Sequence, residues 1–269
     1  MDLKKTLFIL PNLFTAASLF CGMLAVTRCI DPEATGEDVY RAALLLFFAF
    51  FFDMFDGRVA RMTRTQSAFG VEFDSLADLV SFGVAPAVIT YRWALADSGP
   101  AGVGACIVYV ICGAVRLARF NVMSGVAKIP KEKPGRYMLG LPIPVAAGFI
   151  VALVVATRAM GGWPWLTAHG LTVQGISYPM MIVVMILLAV LMVSSVRFRS
   201  FKDVRLTRVT LAIALLVVTA SLVMWLLFKP AYILVGLIVV YLGLGLVEEI
   251  LHWPRRARER RAIKRDGGA

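Results

Sequence analysis

The sequence predicts an all-α integral membrane protein of about eight transmembrane helices, with both termini in the cytoplasm. Hydrophobic residues make up 59% of the 269 residues, and the mean hydropathy is +0.80. Both values are far above those of soluble domains. Apolar stretches of roughly 20 residues, long enough to cross a bilayer, recur along the whole chain. The positions of the basic residues then orient these stretches in the membrane.

The predicted spans are distributed along the whole sequence. They are residues 10–28, 41–59, 73–93, 102–120, 141–158, 179–196, 209–228 and 232–251. The first six spans belong to one membrane domain, residues 1–200. Residues 201–254 add two further spans without a recognisable motif, and residues 255–269 form a basic cytoplasmic tail.

Basic residues are distributed asymmetrically about these spans. Most of the 28 Lys and Arg residues precede the first span, follow an even-numbered span or lie in the tail. The positive-inside rule makes these segments cytoplasmic, whereas the acidic loop 31–38 faces outward. The net charge of +11 therefore suits anionic membrane lipids rather than nucleic acid, and predicts a multi-pass protein of the cytoplasmic membrane. The exceptions near the outer side are Arg28, Arg41, Arg92, Arg158 and Lys229.

Four aspartates stand within this apolar sequence. Carboxylates at membrane depth are costly unless a cation, a partner or a proton compensates them. Asp53 and Asp56 are one helical turn apart near the end of the second span, and Asp74 and Asp78 are one turn apart at the start of the third. The turn 61–67 is short and polar, so we expect antiparallel neighbouring helices that bring the four carboxylates together at the cytoplasmic headgroup level.

Such a cluster is typical of a divalent-cation site. All-oxygen ligands favour Mg²⁺ or Mn²⁺, and two divalent ions would balance the charge of four aspartates. The small residues Gly57, Ala60 and Gly70 share the same helix faces and leave room for a bulky ligand. A pyrophosphate-linked nucleotide fits that space, and Arg61 could neutralise its remaining charge.

The complete pattern resembles a family signature. Residues 53–78 read D-x-x-D-G-x-x-A-R-x8-G-x-x-x-D-x-x-x-D, which is similar to the signature of the CDP-alcohol phosphatidyltransferases. Further segments resemble the phosphatidylserine synthase branch of that family. They are residues 11–15 with 20–22, 74–86, 116–121 and 140–144.

The resemblance implies an activity and roles for individual residues. A phosphatidyl group would pass from CDP-diacylglycerol to the hydroxyl of L-serine, releasing CMP, in a catalytic domain spanning residues 1–200. Asp53, Asp56 and Asp74 would be metal ligands, and Asp78 would be the general base with a possible contact to the second metal. The family also suggests a homodimer. The CDP site would comprise Gly57, Ala60, Arg61 and Gly70.

The sequence offers several candidate contacts to the acceptor, each with an alternative explanation. Arginines suit the carboxylate of serine, but basic residues at a helix end also meet lipid phosphate. The asparagine in the first span could reach the site or cap the first helix. The candidates are Asn12, Arg116, Arg119 and Asn121.

Two alternatives to a serine transferase remain open from the sequence. A sister enzyme of the family would use glycerol 3-phosphate, an inositol phosphate or choline as acceptor. A cation transporter or channel could also line its path with aspartates. The clustering of the carboxylates beside small residues and a basic turn argues against transport.

Overall fold

Helices account for nearly all of the chain that the computed structural model describes, namely residues 3–63, 67–126, 137–160, 178–194 and 196–199. The two C-terminal spans and the basic tail predicted from position 201 onward lie outside these residues. The helices are α1 (Leu3–Ile30), α2 (Gly36–Thr63), α3 (Ala68–Asp78), α4 (Ala85–Thr90), α5 (Pro100–Val126), α6 (Ile143–Met160) and α7 (Tyr178–Val193).

The third predicted span is a continuous but irregular helix. A π-helical turn, Leu79–Val84, joins α3 to α4, and a second one, Tyr91–Leu95, leads into the 3₁₀ turn Ala96–Ser98. The span therefore begins five residues earlier than position 73, because Ser67 caps α3 by accepting the amide hydrogen of Gly70.

The first six predicted spans each coincide with a helix in the described residues. Within the described part of the chain, three helical stretches are long and apolar enough to cross a membrane: Pro11–Ile30, Ala68–Ser98 and Pro100–Met123. Two shorter apolar helices cover Ile143–Arg158 and Pro179–Val193. The membrane character is thus supported, while the total of eight spans and the side on which the termini lie stay predictions.

A small β-ribbon was not predicted from the sequence. Strand β1 (Tyr137–Leu139) pairs antiparallel with β2 (Arg197–Arg199), with Met138 opposite Phe198. Three-residue strands are too short to carry a periodic hydrophobic signal, so an all-α prediction overlooks them. The ribbon ties the segment before α6 to the segment after α7.

Close packing of α1 holds the first half of the molecule together. Helix α1 packs along α2 and crosses the π-helical turn that follows α3. At this crossing a Cβ on Gly22 would lie 2.8 Å from the Cα of Ser81, so only glycine allows the approach. The hydroxyl of Ser81 donates to the carbonyl oxygen of Ser18 at 3.1 Å. The crossing fixes the position of the π-helical turn along α1.

A proline distorts the hydrogen bonding of the same span. Pro86 has no amide hydrogen, so it cannot donate to the carbonyl oxygen of Phe82 four residues earlier. The hydroxyl of Tyr109, on α5, donates to that oxygen at 3.1 Å, and both side chains are fully buried. At membrane depth a carbonyl must find its partner within the protein. Tyr109 thereby anchors the irregular span to α5.

We expect Tyr109→Phe to destabilise the protein by about 1–3 kcal/mol, because it removes the donor to a buried carbonyl without removing the ring. The melting temperature of the purified protein in detergent measures this loss. Tyr40→Phe is the matched control, since Tyr40 is partly exposed at the start of α2. Equal melting temperatures for both variants and the wild type would contradict the anchoring role of the Tyr109 hydroxyl.

The loop between α1 and α2 is held by basic residues of other helices. Arg92 donates to the carbonyl oxygens of Pro32 and Ala34, at 2.9 and 2.8 Å. Arg158, at the end of α6, forms an ion pair with Glu37 at 2.7 Å. Arg92 and Arg158, which are exceptions to the predicted cytoplasmic location of the basic residues, thus bind carbonyl or carboxylate partners at this end of the bundle. Asp53 and Asp56 lie near the other end of α2.

Candidate active site

Helices α2 and α3 bring the aspartates of the sequence motif together. Carboxylate oxygens of Asp53, Asp56 and Asp74 all lie within 4.8 Å of one another. Asp53 and Asp56 are one turn apart on α2, so both can face α3, whose Asp74 points back at them. The three side chains form a compact group of oxygen ligands.

Asp78 completes this cluster from the last turn of α3. Its carboxyl group lies next to that of Asp53, and the carboxyl group of Asp56 lies next to that of Asp74. Two carboxyl groups in contact repel each other unless a cation or a shared proton lies between them. The four side chains therefore form two close acidic pairs, each joining α2 to α3.

A third helix reaches the cluster through Thr15. The hydroxyl of this α1 residue donates to Oδ2 of Asp56 at 2.8 Å. Both side chains are buried, with 4% of Thr15 and 6% of Asp56 exposed. Thr15 is not among the site residues predicted from the sequence. A hydroxyl within an otherwise apolar span is the feature that could have identified it.

The predicted small residues have different surroundings. A Cβ on Gly57 would meet no atom of the described residues within 4 Å, so this face of α2 is open toward them. A Cβ on Gly70 would lie 3.1 Å from Ser67 Oγ and 3.3 Å from Asn12 Oδ1. Gly70 is therefore closely packed between these two side chains at the start of α3. Ala60 and Arg61 lie in the last turns of α2, and their side chains are outside the described residues.

Asn12 lies beside the cluster rather than at a helix end. Helix α1 begins at Leu3, so the alternative that Asn12 caps this helix is wrong. The short distance from its Oδ1 to the face of Gly70 brings Asn12 to the α1–α3 contact. Its amide is thus close to the proposed nucleotide face.

The three candidates on α5 make distinct contacts. Arg116 is buried, with 7% exposed, stacks over the ring of Phe120 at 5.5 Å and interacts electrostatically with Asp78. Arg119 instead donates to two carbonyl oxygens at the end of α7, those of Val193 and Ser194. Arg116 therefore places a positive charge near Asp78 from α5, whereas Arg119 caps α7.

Asn121 connects α5 to α3. Its side-chain amide donates to Ser75 Oγ at 2.9 Å and to Glu72 Oε2 at 3.2 Å. Ser75 directly follows Asp74, so this contact holds the helix turn that carries the carboxylate. Asn121 thus fixes the turn of α3 that carries Asp74 without contacting the carboxylates predicted as ligands.

Comparison with known proteins agrees with this geometry. The family model for CDP-alcohol phosphatidyltransferases matches residues 8–176, which include all four aspartates and span more than half of the chain. The chain belongs to the CDP-alcohol phosphatidyltransferase family. It is therefore a member of a family of transferases that act in phospholipid biosynthesis.

Relatives of this CDP-alcohol phosphatidyltransferase share a common name, CDP-diacylglycerol–serine O-phosphatidyltransferase. The Helicobacter pylori protein is 35% identical over 247 residues, covering 92% of each chain. The Bacillus subtilis protein is 34% identical over 72% of this chain and 91% of its own. The Saccharomyces cerevisiae protein is 37% identical over 55% of this chain and 54% of its own.

The acidic cluster of this CDP-alcohol phosphatidyltransferase fits a hard divalent cation. Its donors are all carboxylate oxygens, which Mg²⁺ and Mn²⁺ prefer. Three aspartates converge within 4.8 Å, and the charge of Arg116 offsets only part of the four carboxylates. Asp53, Asp56, Asp74 and Asp78 are the residues that could hold such ions.

Proposed function

We propose that the protein transfers the phosphatidyl group of CDP-diacylglycerol to the hydroxyl of L-serine, yielding phosphatidylserine and CMP. The convergence of Asp53, Asp56 and Asp74 carries the proposal, because three carboxylates that meet on the family signature suit a divalent cation that binds phosphate. The names of the relatives support serine as the acceptor, above all the Helicobacter pylori protein, which matches 92% of each chain.

The proposed cofactors are two Mg²⁺ or Mn²⁺ ions held by the four aspartates. When bound, such ions neutralise the phosphate oxygens of the donor and stabilise the departing CMP. The protein contributes the fixed spacing of its carboxylates, because α2 and α3 each present two of them one turn apart. The two acidic pairs match two ions in charge.

Asp78 is the proposed general base. It would take the proton of the serine hydroxyl as the serine oxygen bonds to phosphorus and the bond from phosphorus to CMP breaks. Its contact with Asp53 keeps it at the edge of the cation site, and Arg116 stabilises its negative charge. A carboxylate so placed serves one proton transfer without forming a covalent intermediate.

The proposed CDP site lies along the small-residue face formed by Gly57, Ala60 and Gly70, with Arg61 beside it. The open space next to Gly57 supports this location, since no described neighbour within 4 Å requires a glycine there. Glycine in a helix interior lowers helix stability. Close approach of a ligand to the helix backbone would explain a glycine at this position.

Gly57→Leu is expected to fold normally and to weaken binding of CDP-diacylglycerol by at least about tenfold, because the new side chain fills the proposed nucleotide space. Equilibrium binding of the donor to the purified protein measures the effect. Gly104→Leu is the matched control, since a Cβ on Gly104 in α5 also meets nothing within 4 Å. Unchanged donor affinity in a folded Gly57→Leu protein would contradict close nucleotide approach.

For the acceptor, Arg116 is the best-placed of the proposed contacts. A guanidinium can bind the serine carboxylate in a bidentate manner, and its interaction with Asp78 brings acceptor and base together. Asn12 is a further proposed contact beside Gly70. Arg119 and Asn121 are further proposed contacts to the acceptor or the lipid, in addition to the hydrogen bonds described above.

We also propose how the protein is arranged in the membrane. The active site opens to the cytoplasm at the headgroup level of the inner membrane, where the lipid keeps its acyl chains in the bilayer and serine arrives from solution. Residues 1–200 form the catalytic domain, residues 201–254 add two spans, and anionic lipids contact the basic tail. Two copies of the chain form a homodimer.

The deciding experiment measures CMP release by purified protein with Mn²⁺, CDP-diacylglycerol and labelled serine. We expect labelled phosphatidylserine, with serine preferred over glycerol 3-phosphate, inositol phosphate and choline in direct competition. Preference for another alcohol would make the protein a sister transferase. Absence of CMP release with every acceptor would overturn the enzyme and favour a cation transporter.

A further inference from the structure

Helix α1 contributes one buried hydroxyl to the acidic cluster. Thr15 Oγ1 lies 2.8 Å from Asp56 Oδ2 and 3.2 Å from the carbonyl oxygen of Pro11, one turn earlier on α1. A threonine in a helix commonly donates its single proton to the preceding turn. Here the shorter contact is to Asp56, so the hydroxyl is directed at the carboxylate.

This contact restricts how Asp56 can present its oxygens. With Oδ2 held by the hydroxyl, rotation of the Asp56 side chain is limited. Burial of both residues leaves little water to substitute for the hydroxyl. Because Thr15 is neutral, it orients the carboxylate without cancelling the charge that a cation requires.

The packing of α1 against α2 does not depend on the Thr15 hydroxyl. The ring of the neighbouring Phe14 contacts those of Phe52 and Phe55, with centroids 6.5 and 6.3 Å apart. These contacts flank the hydrogen bond and remain when the hydroxyl is removed. The role of the hydroxyl can therefore be separated from that of the helix.

We propose that Thr15 is a positioning residue for Asp56 in the divalent-cation site, an inference that rests on the proposed function. Residues that orient a metal ligand typically change metal affinity by about 10–100-fold when they are replaced. Thr15 extends the site from two helices to three. The hydroxyl couples the position of α1 to cation binding.

The test compares Mn²⁺ binding to detergent-purified wild type, Thr15→Val and Thr15→Ser, measured from the electron paramagnetic resonance signal of free Mn²⁺. Valine keeps the shape and removes the donor, so we expect affinity to fall at least about tenfold. Serine keeps the donor and should restore most of the affinity. Thr27→Val is the matched control, because Thr27 lies on α1 and donates to its own helix at Leu24.

Activity gives a second measurement. The Mn²⁺ concentration for half-maximal CMP release should rise in Thr15→Val, while kcat at saturating Mn²⁺ changes much less. Thr15→Ala replaces Thr15→Val in both measurements if the valine variant does not fold. Equal Mn²⁺ affinity in the wild type and the folded donor-less variant would overturn the role of Thr15. Failure of the wild type itself to bind Mn²⁺ would overturn the proposed cation site as well.

Discussion

Asp78→Asn is expected to lower kcat by about 10²–10⁴-fold while CDP-diacylglycerol and Mn²⁺ still bind. Asparagine has nearly the same shape as aspartate but cannot take a proton from the serine hydroxyl. The other three aspartates, which converge within 4.8 Å, remain to hold the cations. The measurements are CMP release at saturating serine and equilibrium binding of donor and Mn²⁺ to the same preparation.

The matched control for this variant is Asp97→Asn. Asp97 lies near the far end of the same helical span, Ala68–Ser98, and is exposed. This change should leave both turnover and binding at wild-type levels. If Asp78→Asn loses donor binding in proportion to turnover, Asp78 is chiefly a ligand and the base must be sought elsewhere.

Asp56→Asn should weaken Mn²⁺ and CDP-diacylglycerol binding together. Asp56 sits between the hydroxyl of Thr15 and the carboxyl of Asp74, so its charge is central to the cluster. Removing this charge deletes a ligand rather than misorienting one, and we expect a larger loss than for Thr15→Val. Titrations of Mn²⁺ and of donor at fixed Mn²⁺ measure the two affinities.

The double variant sharpens this prediction. If Thr15 acts through Asp56, then Thr15→Val should have little further effect on Mn²⁺ affinity once Asp56 is asparagine, because residues in direct contact are not additive. Unchanged metal dependence in Asp56→Asn alone would refute its assignment as a ligand. The outcome is independent of which alcohol is the acceptor.

Helical spacing made much of the site predictable. Asp53 and Asp56 are three residues apart and Asp74 and Asp78 four apart, and in any α-helix such pairs share a face. A short polar turn between two apolar stretches then requires their ends to be neighbours. The meeting of α2 and α3 at the aspartates follows from these local rules, as does the membrane character from composition.

Irregular backbone was not predictable in the same way. The span through Asp78 contains two π-helical turns, which hydrophobic periodicity cannot distinguish from regular helix. The partner of the Phe82 carbonyl is Tyr109, 27 residues further along the chain. Similarly, the three-residue strands of the ribbon form because of one another and carry no signal of their own.

The sequence by itself determined the membrane character and the pairing of the aspartates on shared helix faces, because composition and helical repeat act locally. The resemblance of its motif to the CDP-alcohol phosphatidyltransferase signature indicated the family. The tertiary structure decided which neighbours those aspartates have. Thr15 lies 41 residues from Asp56, and Arg119 lies 74 residues from the carbonyl of Val193 that it caps. The faces that two distant helices present to each other depend on the packing of all the helices between them. That packing directed Thr15 toward the carboxylate of Asp56, and Arg119 toward the end of α7.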